Sequence, residues 1–430
     1  MTLLSKARVF GRVVKTDGLT NAITLAGFTL FPRAFAALAR RVVSGGSVSE
    51  LSATNYLYAI QNVQDYKLWT EYGGSDAPAT SSDSQPCYIW FVPDWLNVWG
   101  GGHYTLFRFA NHFAKGGSRN IIFVYDNQRH TTPDKLQKEL DNALDDCKIE
   151  VIVDPKKLPQ ATGAIATTWQ SAYKVRAFPH AQHKFYFMQD YEGLFYAYGT
   201  QSMQANATYT FGFSGITGGE WLRQCYESHG GKAINYRFVA DTKIFYPAEA
   251  KVRDKVRRLF FYGRPSTERR CFDLGIAALA LIKKKYPEVE IIIGGLDLSS
   301  PPPFQATLLG NMTLAQTGDL YRTCDIGLAF SGTNLSYLPV ELMASGVPVI
   351  SNNGPHVEWH CQHLENSYLA DPVPHAVLAA FEALVESAEL RQRLVDGGLE
   401  TMRGRSWDAE MTRVYDHVSQ VSAGGSLQTA

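Results

Sequence analysis

One stretch of the chain places an acidic residue beside the start of a helix. An apolar run at residues 326–330 ends in Ser-Gly-Thr-Asn, and a helix is predicted to open near Leu338 with Glu341 in its first turn. Gly346 ends this helix, and a second apolar strand follows at residues 347–350. Free N–H groups at a helix start attract anionic oxygens, and a carboxylate accepts hydrogen bonds from hydroxyl groups. The pattern therefore predicts a site for a phosphorylated ligand that carries sugar hydroxyls.

Two cations follow another predicted strand, at residues 258–262. Gly263 and Arg264 come directly after it, and Arg269 follows five residues later. The carboxyl ends of strands are where open α/β sheets bind ligands. Two guanidinium groups there can neutralise a diphosphate and stabilise the charge that develops on it as a leaving group. Arg270 is adjacent and stays an alternative for the second cation.

A glycine-rich loop, residues 100–102, lies between a predicted strand and a predicted helix and is followed by His103. Glycine lets the backbone approach a ligand closely. The spacing does not fit the Gly-x-Gly-x-x-Gly pattern of dinucleotide-binding proteins, because Thr105 stands where the last glycine is required. We therefore predict no nicotinamide cofactor.

Two further acids, Asp190 and Glu192, flank Tyr191 directly after a predicted strand at residues 184–188. At this edge of a parallel sheet either carboxylate could orient an acceptor hydroxyl or take its proton. The alternative is that one of them only caps a helix. The sequence does not choose between the two acids.

The composition excludes several classes of protein. With 45% hydrophobic residues in 430, the chain is long enough for two globular domains. Lys plus Arg and Asp plus Glu balance at 41 each, so no net charge favours nucleic acid. The six cysteines are scattered without a CxxC pair, which predicts reduced thiols in a cytoplasmic protein.

Apolar strand-like runs alternate with helical patterns through most of the chain, and this alternation predicts parallel sheets covered by helices. Such runs occur at residues 87–92, 120–125, 149–153, 164–167, 184–188, 258–262, 289–294, 326–330 and 347–350. We predict an α/β protein with two Rossmann-like domains that face each other across a cleft.

The motifs together resemble GT-B glycosyltransferases of the family 4 type. The resemblance rests on Glu-x-Met-Ala-x-Gly-x-Pro-Val-Ile from Glu341, and on Gly-Arg-x4-Lys from Gly263 with Arg269 in place of the lysine. The segments 189–196 and 213–221 are similar to bacterial rhamnosyltransferases that use dTDP-L-rhamnose to build surface polysaccharides. The resemblance implies transfer of L-rhamnose from dTDP-L-rhamnose to a glycan or a lipid-linked glycan.

The resemblance also implies a role for each candidate residue. Asp190, Glu192, Arg264 and Arg269 are the expected catalytic residues. His103 and Tyr191 are expected to contact the acceptor. The expected donor-binding residues are Gly101, Gly102, Gly263, Arg264, Arg269, Ser331, Gly332, Thr333, Leu338 and Glu341, the last of them on the ribose.

The chain departs from the family pattern at Thr333, where these enzymes usually carry a second acid facing the donor sugar. GT-B enzymes rely on helix ends and cations, so no metal and no cofactor are predicted. His356, His360 and His363 have a spacing that could hold zinc, but we interpret them as loop residues around the donor pocket.

The predicted organisation has four parts: a basic helical N-terminal extension (1–80), an acceptor domain (81–250), a donor domain (251–405), and a crossover helix with a loose tail (406–430). Residues 1–44 are rich in Lys and Arg and contain one acid, Asp17. Such a segment either lies on the anionic inner face of the plasma membrane or packs on the first domain.

Two other functions fit the same sequence. One is a sugar-nucleotide epimerase of the same fold, which would change a nucleotide sugar with no acceptor present. The other is a non-catalytic glycan-binding derivative, which the absence of an acid at Thr333 makes conceivable.

Overall fold

The computed structural model describes residues 70–78, 85–95, 97–127, 131–248, 254–295 and 301–424. The predicted basic extension at residues 1–80 lies outside this part except for its last few residues, and so does the expected membrane contact. In the described part, no helix combines the length and apolarity needed to cross a bilayer.

Within the described residues, the first domain contains a seven-stranded parallel sheet with the strand order β3-β2-β1-β4-β5-β6-β7. The strands are β1 Cys87–Pro93, β2 Arg119–Asp126, β3 Glu150–Ile152, β4 Ala161–Ala166, β5 Ala181–Met188, β6 Ser214–Gly218 and β7 Lys232–Tyr236. The helices between them are α1 Gly101–Lys115, α2 Pro133–Ala143, α3 Trp169–Ala177, α4 Thr200–Thr208 and α5 Glu220–Ser228.

The second domain contains another parallel sheet, six-stranded within the described residues, with the order β10-β9-β8-β11-β12-β13. Its strands are β8 Arg258–Tyr262, β9 Glu290–Gly294, β10 Thr307–Leu308, β11 Ile326–Leu328, β12 Val349–Asn352 and β13 Tyr368–Ala370. Its helices are α6 Phe272–Lys285, α7 Leu314–Tyr321, α8 Tyr337–Ala344, α9 Pro355–Glu358, α10 Pro374–Glu386 and α11 Ala388–Met402.

The central strands are apolar along their whole length because helices cover both faces of each sheet. In β1, Tyr88, Trp90 and Val92 face one apolar cluster, whereas Ile89 and Phe91 face another on the opposite side. This arrangement confirms the predicted fold class of two Rossmann-like domains.

The last helix, α12 Trp407–Ser422, returns to the first domain. The buried carboxylate of Glu410 accepts hydrogen bonds from the backbone N–H and guanidinium of Arg237, which follows β7. Farther along the helix, the Tyr415 hydroxyl donates to the Gly116 carbonyl at 2.9 Å. The chain therefore passes between the two domains twice, once after β7 and once before α12.

Helix α8 begins at Tyr337, slightly earlier than predicted, and its first turn contains no acid. The prediction that Glu341 lies in the first turn is therefore wrong, since Glu341 comes one turn later. Attraction to the helix dipole fades beyond the first turn, so it does not explain why an acid is present here. Gly346, with a φ of 70°, ends the helix segment as predicted.

Candidate functional site

The predicted site residues lie where strands of the two sheets end. Gly263 and Arg264 follow β8, and residues 331–334 come shortly after β11. In the first domain Asp190 follows β5, and the glycine loop lies between β1 and α1. Polar contacts join the 331–334 loop to Asp190, so the structure brings the carboxyl edges of both sheets together.

Glu341 lies in helix α8. Its side chain is partly exposed, and among the described residues it accepts no hydrogen bond and forms no ion pair. Burial raises the pKa of Glu341 to about 8. The neighbouring residues Val340 and Leu342 are fully buried and fix the helix in the core. The arrangement leaves an acceptor that ligand hydroxyls could satisfy.

Arg264 is exposed, and its guanidinium carbon lies 5.7 Å from the centre of the Tyr262 ring. It has no carboxylate partner in the described part of the chain. The preceding Gly263 donates its N–H to the Gly294 carbonyl at 2.9 Å, which extends the ladder of the β8–β9 pair. Arg264 is therefore a cation at a sheet edge that remains available to an anionic ligand.

Arg269 and Arg270 lie in a 3₁₀ turn, Glu268–Arg270, before α6. The Arg269 guanidinium lies 4.1 Å from the centre of the Phe195 ring and donates to Asp190 Oδ2 at 3.2 Å. Arg270 is 3.6 Å from the same oxygen. Burial lowers the pKa of Arg270 to about 10, although the charge of Asp190 opposes this effect. Both cations therefore face the first domain.

The 331–334 loop has many internal bonds. Arg270 donates to the Ser331 hydroxyl at 2.7 Å and to the Asn334 carbonyl at 3.0 Å. Asn352, at the end of β12, accepts from the Ser331 N–H and donates to the Ser331 carbonyl, each at 2.8 Å. Gly332 donates its N–H to the Arg269 carbonyl. The loop is thereby fixed against two strand ends and the cationic turn.

The two acids after β5 have different surroundings. Asp190 reaches the second domain, whereas Glu192 accepts a hydrogen bond from the backbone N–H of Trp169, the first residue of α3. Burial raises the pKa of Glu192 to about 8, although the Trp169 hydrogen bond opposes this effect. Glu192 thus accepts a hydrogen bond from an N–H group at a helix start within its own domain.

The glycine loop leaves space at the start of α1. A Cβ built on Gly101 meets no atom within 4 Å, and the Gly102 carbonyl accepts from Gln189 Nε2 at 2.8 Å. His103 packs beside Trp95, and burial lowers its pKa. The glycine loop is therefore hydrogen-bonded to Gln189, the residue before Asp190.

Tyr191 packs inside the first domain. Its ring centre lies 5.0 Å from that of Tyr209, and its hydroxyl lies 3.5 Å from His229 Nε2. The expected acceptor role of Tyr191 remains a prediction. The expected role of Leu338, at the start of α8, also remains one.

The three histidines considered for zinc have protein partners or deep burial. His356 Nε2 lies 2.8 Å from the Ser331 carbonyl, and His363 Nδ1 accepts from the Leu369 N–H. Burial lowers the pKa of His360 to about 3. Across the described ranges, no three His, Cys, Asp or Glu side chains are grouped as a metal site.

The chain is similar to known proteins in its sequence and in its fold. Residues 257–382 match the family described as "WsaF, C-terminal domain". The sucrose-phosphate synthase of Thermosynechococcus elongatus superposes with a TM-score of 0.61 at 13% identity, covering 79% of this chain and all of that one. The Anabaena HepE protein in complex with UDP-glucose gives 0.58 at 13% identity, covering 79% of this chain and 99% of that one. The chain has the GT-B fold.

A curated relative of this GT-B chain is the O-antigen biosynthesis protein RfbC of Myxococcus xanthus. The two are 38% identical over 338 residues, which is 76% of this chain. The match covers 26% of RfbC, so the chain spans about a quarter of the length of that relative.

Sequence reasoning missed Asn334, which lies beside the expected donor residues. Its side-chain amide donates to the carbonyls of Gln189 at 3.0 Å and Gly218 at 2.6 Å, both in the first domain. The Ser-Gly-Thr-Asn run indicated only a turn. No local pattern shows that a turn in one domain will contact the strand ends of another.

Proposed function

We propose that this GT-B protein is a glycosyltransferase that moves a sugar from a nucleoside diphosphate donor to a glycan in bacterial surface polysaccharide synthesis. The observation that carries the proposal is the partly buried carboxylate of Glu341, which has no partner among the described residues, on the same domain as the exposed Arg264. The similarity to RfbC supports the role in polysaccharide synthesis.

Arg264, Arg269 and Glu341 each have a chemical task in this reaction. The bond between the sugar's anomeric carbon and the diphosphate oxygen breaks, and a bond to an acceptor hydroxyl oxygen forms as that hydroxyl passes its proton to the departing diphosphate. Arg264 and Arg269 would stabilise the charge on the departing diphosphate, whereas Glu341 would accept hydrogen bonds from the ribose. Because these groups lie on fixed elements, little reorganisation is needed at the moment of bond breaking.

The donor we propose is dTDP-L-rhamnose. Support comes from the resemblance of residues 189–196 and 213–221 to rhamnosyltransferases. The acceptor, a glycan or a lipid-linked glycan, would approach the glycine loop and His103 from the first domain. No disulfide joins the six cysteines, which supports a reaction in the reducing cytoplasm, at the inner face of the plasma membrane if the basic extension binds lipid.

Calorimetric titration tests the donor site directly. The probes are dTDP, UDP, dTDP-L-rhamnose and UDP-glucose, added to the wild type, Arg264→Ala and Glu341→Gln. We expect each substitution to weaken nucleotide binding by roughly tenfold or more, since Arg264→Ala removes a cation from the diphosphate and Glu341→Gln leaves one acceptor oxygen in place of two for the ribose hydroxyls. Arg403→Ala is the matched control, because this exposed arginine follows α11 and, within the described part of the chain, forms an ion pair with the surface glutamate Glu400 alone.

Product analysis separates transfer from the two other functions. A glycosyltransferase releases nucleoside diphosphate and extends the acceptor. Conversion of the nucleotide sugar into its epimer without an acceptor would identify an epimerase. Donor binding with no chemical change, even with acceptor glycans supplied, would identify a non-catalytic derivative. Identical affinities in the wild type and both site variants would remove the proposed donor site.

A further inference from the structure

A carboxylate of the first domain lies against the 331–334 loop of the second. The Thr333 hydroxyl donates to Asp190 Oδ2 at 3.0 Å, and the Asn334 N–H donates to Asp190 Oδ1 at 2.8 Å. The Asp190 side chain is 10% exposed. Enzymes that this sequence resembles usually carry an acid at the position of Thr333. Here the carboxylate of Asp190 lies beside that position, although the local sequence has no acid there.

The contact is held in place from both sides. Asn334 donates to the carbonyl of Gln189, the residue before Asp190, and to that of Gly218 at the end of β6. On the second domain, Asn352 fixes Ser331 at the start of the loop. Hydrogen bonds to residues at the ends of several strands therefore fix the position of the Asp190 carboxylate.

The same carboxylate faces two cations. Arg269 donates to Asp190 Oδ2 at 3.2 Å, and Arg270 lies 3.6 Å away. The Tyr191 N–H and the Asn334 N–H both donate to Oδ1. With donors on both oxygens, Asp190 is arranged as a fixed hydrogen-bond acceptor.

We propose that Asp190, a residue of the first domain, contacts the donor sugar in place of the second-domain acid that similar enzymes carry at the position of Thr333. This inference rests on the proposed function. When a donor binds, its diphosphate draws Arg269 away from Asp190, and Oδ2 then accepts a hydrogen bond from a sugar hydroxyl. Oδ1 stays on the Asn334 N–H. Asp190 is thus a specificity-determining residue for the donor sugar, in the place that Thr333 leaves without an acid.

This arrangement has an unusual consequence for nucleotide binding. Without a sugar, Asp190 competes with the diphosphate for Arg269 and adds a negative charge nearby. Asp190→Asn should therefore bind dTDP or UDP roughly threefold to tenfold more tightly. A residue that only held the domains together would have the opposite effect, because its loss would loosen the site.

The test compares the affinity for a nucleotide sugar with that for its nucleoside diphosphate, measured by calorimetry with dTDP-L-rhamnose against dTDP and UDP-glucose against UDP. We expect the sugar's contribution to fall about tenfold in Asp190→Asn. Adding Thr333→Asp returns a carboxylate to the same place from the second domain and should restore most of that contribution. Adding Thr333→Asn instead is the matched control and should restore none.

Weaker nucleoside diphosphate binding in Asp190→Asn, or equal behaviour of the Thr333→Asp and Thr333→Asn double variants, overturns the inference while leaving the proposed function in place. A wild type that binds no nucleotide removes both. If the double variants do not fold, the change in diphosphate affinity of Asp190→Asn still decides, since tighter binding supports the inference and weaker binding refutes it.

Discussion

Substitution of Glu341 by Gln should make the protein more stable and less able to bind nucleotide. The Glu341 carboxylate is partly buried without a protein partner among the described residues, and this burial raises its pKa from 4.5 to about 8. Burial of an ionised group without a partner is unfavourable, and glutamine has nearly the same shape without the charge. Removal of the charge should therefore relieve a cost that the native residue carries.

The magnitude follows from the pKa change. The raised pKa means that the folded protein holds a proton that the unfolded chain releases, so stability falls as the pH rises from about 4.5 to 8. At roughly 1.4 kcal/mol per unit, the cost is below ~1 kcal/mol at pH 5 and ~3 kcal/mol at pH 7. For a domain of this size ~3 kcal/mol corresponds to a rise in Tm of about 6–12 °C.

Scanning calorimetry at pH 5, 7 and 8 measures this difference. Glu341→Gln should exceed the wild type in Tm by an amount that grows with pH, while Glu386→Gln, an exposed control on α10, stays within about 2 °C at each pH. A Gln variant that is less stable than the wild type at pH 8 would show that the carboxylate has a stabilising partner. The ribose role of Glu341 would then lose its physical basis.

Three further substitutions test other parts of the structure. Glu192→Gln should keep turnover at pH 7 within about threefold of the wild type, because a carboxyl group with a pKa of about 8 is mostly protonated there and the amide oxygen still accepts the helix N–H. Glu410→Gln should cost about 1–2 kcal/mol at pH 7, since loss of the buried carboxylate weakens its hydrogen bonds with two arginines that are themselves about half exposed. Burial alone would raise the pKa of Glu410, but hydrogen bonds from Arg237 and Arg413 lower it below its usual value. The contribution of the Glu410 charge to stability should therefore disappear as the pH falls below 4.5. Gly219→Ala should cost more than Gly117→Ala, because both have positive φ but only the former Cβ would lie 2.5 Å from Trp359.

Each of these has a contradicting result. A hundredfold loss of turnover in Glu192→Gln would assign the chemistry to Glu192. A Tm difference for Glu410→Gln that is unchanged between pH 7 and pH 3 would show that its charge does not anchor the crossover helix. Equal Tm values for the two glycine variants would show that the Trp359 contact is loose.

The sequence predicted the central strands of both sheets, because a continuous apolar strand followed by a periodic helix is a local signal, but it missed β6, β7, β10 and β13. Residues 258–262 matched β8 at both ends, since apolar residues stop there at Gly263. The start of α8 was less predictable. Pro339, a residue typical of the first helical position, favoured a start near Leu338, whereas the helix begins directly after the N-cap residue Ser336.

The pairing across the cleft could not be predicted from the chain. Asp190 and Thr333 are 143 residues apart, and each belongs to a segment that is locally complete. Their contact depends on how two sheets are placed against each other. The choice between Asp190 and Glu192 has the same origin, because the helix start that binds Glu192 precedes it by 23 residues.

The central claim is that the second domain binds a nucleoside diphosphate through Glu341, Arg264 and Arg269. A crystal structure of the protein with dTDP or UDP tests it most directly. We predict ribose hydroxyls within hydrogen-bond distance of the Glu341 carboxylate and diphosphate oxygens on both guanidinium groups. A nucleotide bound by the first domain alone, with Glu341 still without a partner, would contradict the account.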